Sequence, residues 1–360
     1  MPEHNAAQVL GEGARMRVLL AGVACSALIS VWPFTAVAPA HAAEGCAPAP
    51  KSPLVINVKD KGAKGDGKTD DTASIQAAID AVAGSGGTVL VPDGVYMVNA
   101  VAKPRLSLRD DVTLKLAGGA TLKAIPNDEK KYAVLMIAGV NNVTVIGGTI
   151  EGERYAHKAK KGEWGMGIDI RGGSKHVVIA GVTAKDMWGD GFYIGDASNV
   201  MFCGVTADRN RRQGLSVIEV DGLVVLNSVF QNTGGTRPGA GIDFEPDDND
   251  EAIAGVRIEN SKFISNAGPG ILIAGKKGTV ENVELTRNLF KGNRPILVED
   301  APEVLASSIC ENRQVTSEAA PSAGLNAYTE PIKVMVHQND CEEGTDMRFE
   351  VTRQKKKKPK

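Results

Sequence analysis

A loose repeat through the middle of this 360-residue chain leaves few folds open. One series reads GIDI at 167, GFYI at 191, GLSV at 214, GIDF at 241 and GILI at 270, at spacings of 24, 23, 27 and 29 residues. Between its members runs a second series: NNVTVIGGTI, KHVVIAGVTA, SNVMFCGVTA, GLVVLNSVF, AGVRIENSKF and ENVELTRNLF. Self-similarity at such a period marks a solenoid, in which each repeat buries its apolar face only against its neighbours. The runs are short and alternating, glycine marks the turns, and no helical spacing intervenes, so the pattern predicts an all-β, parallel β-helix with two or three strands per coil. The 41 glycines and an aromatic share of 4% suit tight turns and aliphatic strands. Asn210, Asn232, Asn266 and Asn293 recur after the second strand and are expected to form a ladder that satisfies turn backbone inside the stack.

The N-terminus has the layout of an export signal. Arg15 and Arg17 precede the apolar run VLLAGVACSALISVWPF, and APAHA offers small residues at Ala40 and Ala42. A signal peptide over 1–42 is expected, with Met16 as an alternative start, a membrane anchor as the alternative reading, and a periplasmic or secreted destination. Residues 43–53 read as a linker, 54–345 as one β-helix domain with an N-terminal cap over 54–100, and 346–360, ending KKKKPK, as a basic disordered tail. Export leaves Cys46, Cys203, Cys310 and Cys341; of the three pairings, Cys310–Cys341 is expected, with Cys203 a buried thiol. The net charge of −2 implies no general attraction to nucleic acid.

GAKGDGKT, Gly62 to Thr69, matches the phosphate-loop pattern letter by letter. Its setting argues against nucleotide. Asp70 and Asp71 place negative charge where a phosphate would need the helix amides, and no strand–helix alternation follows. The next segment carries Ile75, Ala78, Ile79 and Val82 at helical spacing, capped by Thr69 or Asp71 and stopped by Gly84, which predicts a one-faced helix over 72–83 closing the solenoid. The whole stretch INVKDKGAKGDGKTDDTASIQAAIDAVAGSGGTVLVPDGVYMV, with its D-x-G-A-x-G-D-G-x-T-D-D-T signature, resembles the opening of the pectate lyase-like superfamily, specifically polygalacturonase-related glycoside hydrolases and the epimerases beside them. That resemblance, over about 54–300, implies a right-handed β-helix acting on polysaccharide.

Strand alternation separates the core side chains from the outward ones. In GIDI the isoleucines face in and Asp169 faces out; the same register stacks Asp169, Tyr193, Ser216, Asp243 and Leu272, with a second column of Arg171, Gly195, Ile218, Glu245 and Ala274. Coils lie about 4.8 Å apart, so Asp169 and Asp243 stand about 14 Å apart, too far to act as a pair. Asp243 and Glu245, at i and i+2, have Cα atoms about 6.5–7 Å apart, which suits the carboxyl separation of about 6.5–9.5 Å in an inverting hydrolase. A solvated acidic edge, or a calcium site shared with Asp247, Asp248 and Asp250, are the other uses of these carboxylates. The turns onto this face bring Trp188, Asp190, Arg211, Arg212 and Arg237. Arginines above carboxylates fit recognition of an acidic sugar, and Trp188 and Tyr193 offer flat surfaces for sugar rings. His157 and His176 stand alone, without metal-ligand spacing.

GDGFYIG resembles the N-T-D-G segment of the polygalacturonase pattern, which places Asp190 at its catalytic aspartate. The following coils depart from that pattern, reading RQGLSV and GAGIDFEP where an Asp-Asp pair and a His-Gly are expected. The expectation is an exported enzyme that cleaves glycosidic bonds of an acidic polysaccharide, with Asp243, Glu245 and Asp190 catalytic and Arg211, Arg212, Tyr193, Trp188, Asp169, Arg171 and Arg237 binding substrate. Uronate elimination or C5 epimerisation, led by Arg211, Arg212 and Tyr193, is the alternative, and a non-catalytic glycan-binding scaffold is the third. Beyond calcium no cofactor is implied; the partner is the polysaccharide, not nucleotide, nucleic acid or, once the signal is removed, membrane.

Overall fold

The computed structural model describes residues 45–275 and 277–299, with short stretches at 303–305, 308–310, 312–315, 330–331 and 352–354. The leader expected over 1–42 and Cys341 lie outside the described residues.

The chain is a parallel β-solenoid of about nine turns. Among the described residues its strands fall into three sheets of 11, 9 and 10 strands. Sheet I begins with Val55–Asn57 and Thr88–Val91 and includes Ser174–Ala180, Ala197–Cys203 and Val220–Leu226. Sheet II carries Lys131–Ala138, Trp164–Arg171, Phe192–Ile194, Leu215–Val217, Ile242–Phe244, Ile271–Ala274 and Ile296–Glu299. Sheet III includes Thr149–Glu151, Thr183–Lys185, Thr206–Asp208, Val229–Gln231, Lys262–Ile264 and Leu289–Lys291. Thr352–Gln354, within the stretch read as a disordered tail, is a strand parallel to Leu297–Glu299.

The repeated glycine has a steric cause. A Cβ at Gly167 would stand 2.4 Å from the Gly191 carbonyl oxygen, at Gly214 2.4 Å from that of Gly241, and at Gly241 2.6 Å from that of Gly270. Each coil enters sheet II directly against the backbone of the next, so the first residue of GIDI, GLSV and GIDF has no room for a side chain. Behind these glycines the core is columnar. Ile168, Phe192, Leu215, Ile242 and Ile271 pair in register, all buried. In sheet III, Phe230, Phe263 and Phe290 stack at 5.4 and 4.9 Å.

Asparagine ladders do run along the turns, with one correction. Asn210 accepts from the Met187 N–H (3.1 Å), Asn266 from the Thr233 N–H (3.1 Å) and Asn293 from the Asn266 N–H (3.5 Å). Thr233, not Asn232, holds the ladder position; Asn232 sits one residue earlier at φ 56 with its amide on Asp208 (2.8 Å). That left-handed residue recurs coil by coil as Asp186, Arg209, Asn232 and Ser265, a conformation that Asn and Asp tolerate better than most residues. A second ladder joins sheets I and III: Ser228 Oγ accepts from Val205, Ser261 Oγ from Ser228, Asn288 from Ser261 and Asn312 from Asn288, at 2.9–3.2 Å.

Helix α1 spans Thr72–Val82, and its Ile75, Ala78, Ile79 and Val82 join the core of the first coils. Asp71 stands at its N-cap position without capping it. Its carboxylate instead accepts the Lys64 and Gly65 N–H groups at 2.6 and 3.0 Å. Asp66 accepts those of Lys68 and Thr69 at 2.9 and 2.8 Å, hydrogen bonds that hold its own carboxyl down at about 2. The amides that a phosphate loop would turn toward its ligand thus donate to the chain's own acids, and Gly65, at φ +63, lies against the Tyr96 ring.

The segment read as a linker is a strap on the outer face of sheet I. Cys46 is disulfide-bonded to Cys203, which corrects the expected free thiol; Lys51 pairs with Asp111, and Ser52 N–H donates to Gly86 O (3.0 Å). Between the strap and the sheet lies a cavity of about 460 Å³ lined by Pro48, Pro50, Val178, Met201 and Val224, on a different sheet from the acids discussed below.

Asn288 is buried, and its amide also donates to Ile258 O at 2.9 Å. Asn288→Ala therefore leaves a buried N–H and a buried C=O unpaired and is expected to lower unfolding stability by about 2–4 kcal/mol. Urea denaturation measures it; a loss below about 0.5 kcal/mol would show that the ladder contributes nothing net.

Candidate active site

The outward column of sheet II stacks as alternation requires: Asp169 pairs with Tyr193, Tyr193 with Ser216, Ser216 with Asp243 and Asp243 with Leu272. Outward does not mean open, however. Asp169, Ser216, Asp243 and Leu272 are all buried. The turns from sheet III into sheet II at 186–191, 209–214 and 265–270 are six residues long, whereas 152–163 and 232–241 are 12 and 10. These insertions rise beside the column, and Ala240 from the second packs on Leu272 and Leu297.

Under that wall the chain gathers Asp190, Arg212, Gln213, Ser216, Asp243 and Glu245. Arg212 Nη2 donates to Glu245 Oε2 at 2.9 Å, Nη1 donates to Ser216 Oγ at 3.3 Å, and Nη1 lies 3.6 Å from Asp190 Oδ2. Ser216 Oγ donates to the same Asp190 oxygen at 3.1 Å. Gln213 Nε2 donates to Asp243 while its Oε1 accepts the Ala240 N–H at 2.8 Å, which ties the insertion to the acid. Glu245 is the open member, with 28% of its side chain exposed; Arg212 keeps 11% and Asp190 none.

Burial sets the protonation of this group. It pushes Asp190 up to about 7, with Arg212 and Ser216 pulling the other way. Asp243 is raised well above the carboxylate range, first by burial and then by the charge of Glu245. The i, i+2 pair is therefore asymmetric: Asp243 is fully buried, whereas Glu245 is partly open. Arg212 is raised: burial opposes its charge, but Asp190 and Glu245 outweigh it. Asp190 Oδ1, Asp243 Oδ1 and Arg212 Nε are buried with no partner, a concentration of unsatisfied polar atoms that folded proteins rarely keep.

The remaining residues divide. Asp169 is held bidentately by Arg171 at 2.7 and 2.5 Å, and Arg171 lies 5.0 Å from the Tyr193 ring centre. Burial raises the Tyr193 hydroxyl to about 12, with Arg171 opposing. Tyr193 also feels Asp190 and Arg212, which places this trio beside the acid group. Arg211 and Arg212 do not form a clamp, because they leave the turn toward different partners. Arg211 covers Trp188, 3.8 Å from its ring centre, and donates to Gly162 O at 2.9 Å. Trp188 also stacks on His157 at 4.0 Å. Two groups that close to one centroid must lie on opposite faces, so neither face is free for a sugar. Arg237 is exposed on the 232–241 insertion and has no ion-pair partner among the described residues.

His157, read as isolated, belongs to a buried network. Its Nδ1 is 3.0 Å from Glu153 Oε1, which also takes the Tyr132 hydroxyl. The i, i+4 spacing of Glu153 and His157 was the one available signal. Ser216 and Gln213 gave none beyond their place in the repeat. Asp247 and Asp248 donate their N–H groups to Glu251, and no group of three acidic, His or Cys side chains among the described residues is placed to share a metal ion.

Because Asp190 keeps its proton on folding, its contribution to stability is complete below the unfolded value of 3.8 and is lost as pH rises through about 7. The displacement corresponds to about 4 kcal/mol. Asp190→Asn, which has no proton to lose, should gain stability relative to the parent as pH is raised from 4 to 8, measured by urea unfolding at each pH. A difference independent of pH would contradict a raised Asp190.

Comparison with known proteins places this geometry in a family. A profile described as rhamnogalacturonase A/epimerase, pectate lyase-like, matches residues 55–235. The uncharacterized protein YclG of Bacillus subtilis is 30% identical over 298 residues, covering 70% of this chain and 51% of that protein. The mannuronan C5-epimerase AlgE4 of Azotobacter vinelandii is 41% identical over 149 residues, 38% of this chain and 27% of its own length. The chain thus spans about half the length of one curated relative and about a quarter of the other. Among solved structures, the family 28 exopolygalacturonase of Yersinia enterocolitica shares the fold at a TM-score of 0.54 and 17% identity, over 73% of this chain and 61% of that one. The chain belongs to the rhamnogalacturonase A/epimerase, pectate lyase-like family.

Proposed function

We propose that the protein acts on an acidic polysaccharide and that the reacting atom is C5 of a uronate, leading to epimerisation or elimination. The observation that carries this reading is Arg212, fixed between Glu245 and Asp190 with a buried Nε that has no partner. Removing the C5 proton requires the adjacent carboxylate to be neutralised, and a guanidinium matches a carboxylate geometrically. Glu245, the most open of the three carboxylates, takes the proton from C5, and the electron pair passes into the substrate carboxylate beside Arg212. Tyr193, whose hydroxyl stays protonated to about 12, returns a proton to C5 from the opposite side. In elimination the same electron pair instead expels the C4 oxygen, and that oxygen takes the proton. Asp243 and Gln213 orient Glu245 from beneath. The mannuronan C5-epimerase relative supports the substrate class and the first step.

Glycosidic hydrolysis retains one supporting observation: Asp190, titrating near 7, sits across Arg212 from Glu245, so an acid and a carboxylate coexist at neutral pH. The product separates the two. In D2O, with polymannuronate and polygalacturonate supplied, C5 chemistry incorporates deuterium at C5, with unsaturated ends only if elimination follows. Glu245→Gln should reduce that exchange by about 10²–10⁴-fold. New saturated reducing ends without deuterium would establish hydrolysis instead, and retained binding without any turnover would make the protein a glycan scaffold.

A further inference from the structure

The 152–163 insertion, which packs on Trp188 and Arg211, has a surface that the proposed chemistry does not use. It reads RYAHKAKK from Arg154 to Lys161: four cations and no acid within eight residues. Lys158, Lys160 and Lys161 are exposed and have no ion-pair partner among the described residues. Tyr155 is 75% exposed, and Trp164, at the end of the insertion, 43%. Other surface cations of the solenoid do meet acids: Lys123 and Lys185 share Glu151, and Arg209 takes Asp186 and Asp208.

The insertion is also anchored. Arg154 donates its backbone N–H to Asp186 O at 3.0 Å, and its guanidinium reaches Arg209 O at 2.5 Å and Gly234 O, so one residue bridges three successive turns. Lys158 N–H donates to Asn127 O at 2.8 Å, His157 is pinned between Glu153 and Trp188, and Gly162 O is held by Arg211. The lysines therefore project from a fixed base beside sheet II. Like charges held together without counter-charges repel, and the arrangement is relieved by a ligand that brings several negative charges at once.

We infer that this insertion is a second binding site for the polyuronate itself: it takes sugars of the same chain beyond the reacting residue, the lysines facing carboxylates while Trp164 and Tyr155 lie against sugar rings. The inference rests on the substrate class proposed above. A polymer that crosses both sites is held by two contacts, so affinity should depend on chain length.

Affinity electrophoresis through polymannuronate or polygalacturonate, with a neutral glucan as control, tests this without relying on turnover. The combined Lys158→Ala, Lys160→Ala and Lys161→Ala variant should bind the acidic polymer about 10-fold more weakly at low salt, with a shallower salt dependence. Trp164→Ala should weaken binding without changing the salt dependence. Turnover of short oligouronates should be unchanged in the lysine variant, while KM for the long polymer rises. If the parent binds acidic polymer and the lysine variant binds it equally well, the second site is refuted while the proposed function stands. If the parent binds no acidic polymer at all, both fall.

Discussion

The structure depends on one constraint: strands of successive coils pair in parallel and in register, so each residue's nearest lateral neighbours are its equivalents one coil away. Favourable like pairs then multiply, as in the phenylalanine stack of sheet III and the amide ladders at the turns. Unfavourable ones multiply equally. Carboxylates repeated in a column would lie about 4.8 Å apart, where repulsion is substantial in a partly desolvated setting. The outward column of sheet II avoids this by alternation of type: Asp169, Tyr193, Ser216, Asp243, Leu272. The acids that do meet, Asp190, Asp243 and Glu245, come from a turn, a strand and the residue after it, and Arg212 stands between two of them.

What turns that column into a site is insertion, not the sheet. The 232–241 insertion is tied to the group through the Ala240 N–H on Gln213, and Asp190, Ser216 and Asp243 are withdrawn from water. Desolvation then becomes the largest influence on Asp190 and Asp243, ahead of any single charge. The result costs stability above neutral pH and leaves polar atoms on Asp190, Asp243 and Arg212 without partners. A fold held together by so many well-satisfied ladders can carry one such cluster, and a cluster of this kind is where chemistry is expected.

The sequence made the register legible because strand alternation is a local property: Ile168 and Ile170 inward fixes Asp169 outward, and the glycine of each repeat announces where coils touch. It did not reveal destinations beyond the strand. Asn232 and Thr233 differ by one residue in their fit to the ladder, and the left-handed turn residue that decides between them leaves no periodic mark. Asp243 and Glu245 occupy the predicted strand positions, yet one is sealed and the other partly open, because covering loops are non-local. Cys46 finds Cys203 because the strap folds back over sheet I, a contact 157 residues apart that no spacing rule anticipates. Trp188 was legible as an aromatic near the site but not as one with both faces taken.

The wall and the acid group are not independent parts. They share the turns 186–191 and 209–214, and in each turn the chain alternates allegiance. Arg211 holds Gly162 and Trp188 of the wall, and the next residue, Arg212, holds Glu245 and Asp190. Trp188 packs against His157, and two residues later Asp190 is buried under Ser216 and Arg212. Between them Gly189 donates to Gly165 O at 2.9 Å, and a Cβ there would stand 2.3 Å from the Glu163 carbonyl oxygen, so the turn has no slack toward the insertion. A displacement of the insertion therefore acts on Trp188 and Arg211, which lie two residues from Asp190 and one from Arg212. Polymer bound along the wall would thus act on Arg212, the cation proposed to face the substrate carboxylate, and on Asp190 beside it.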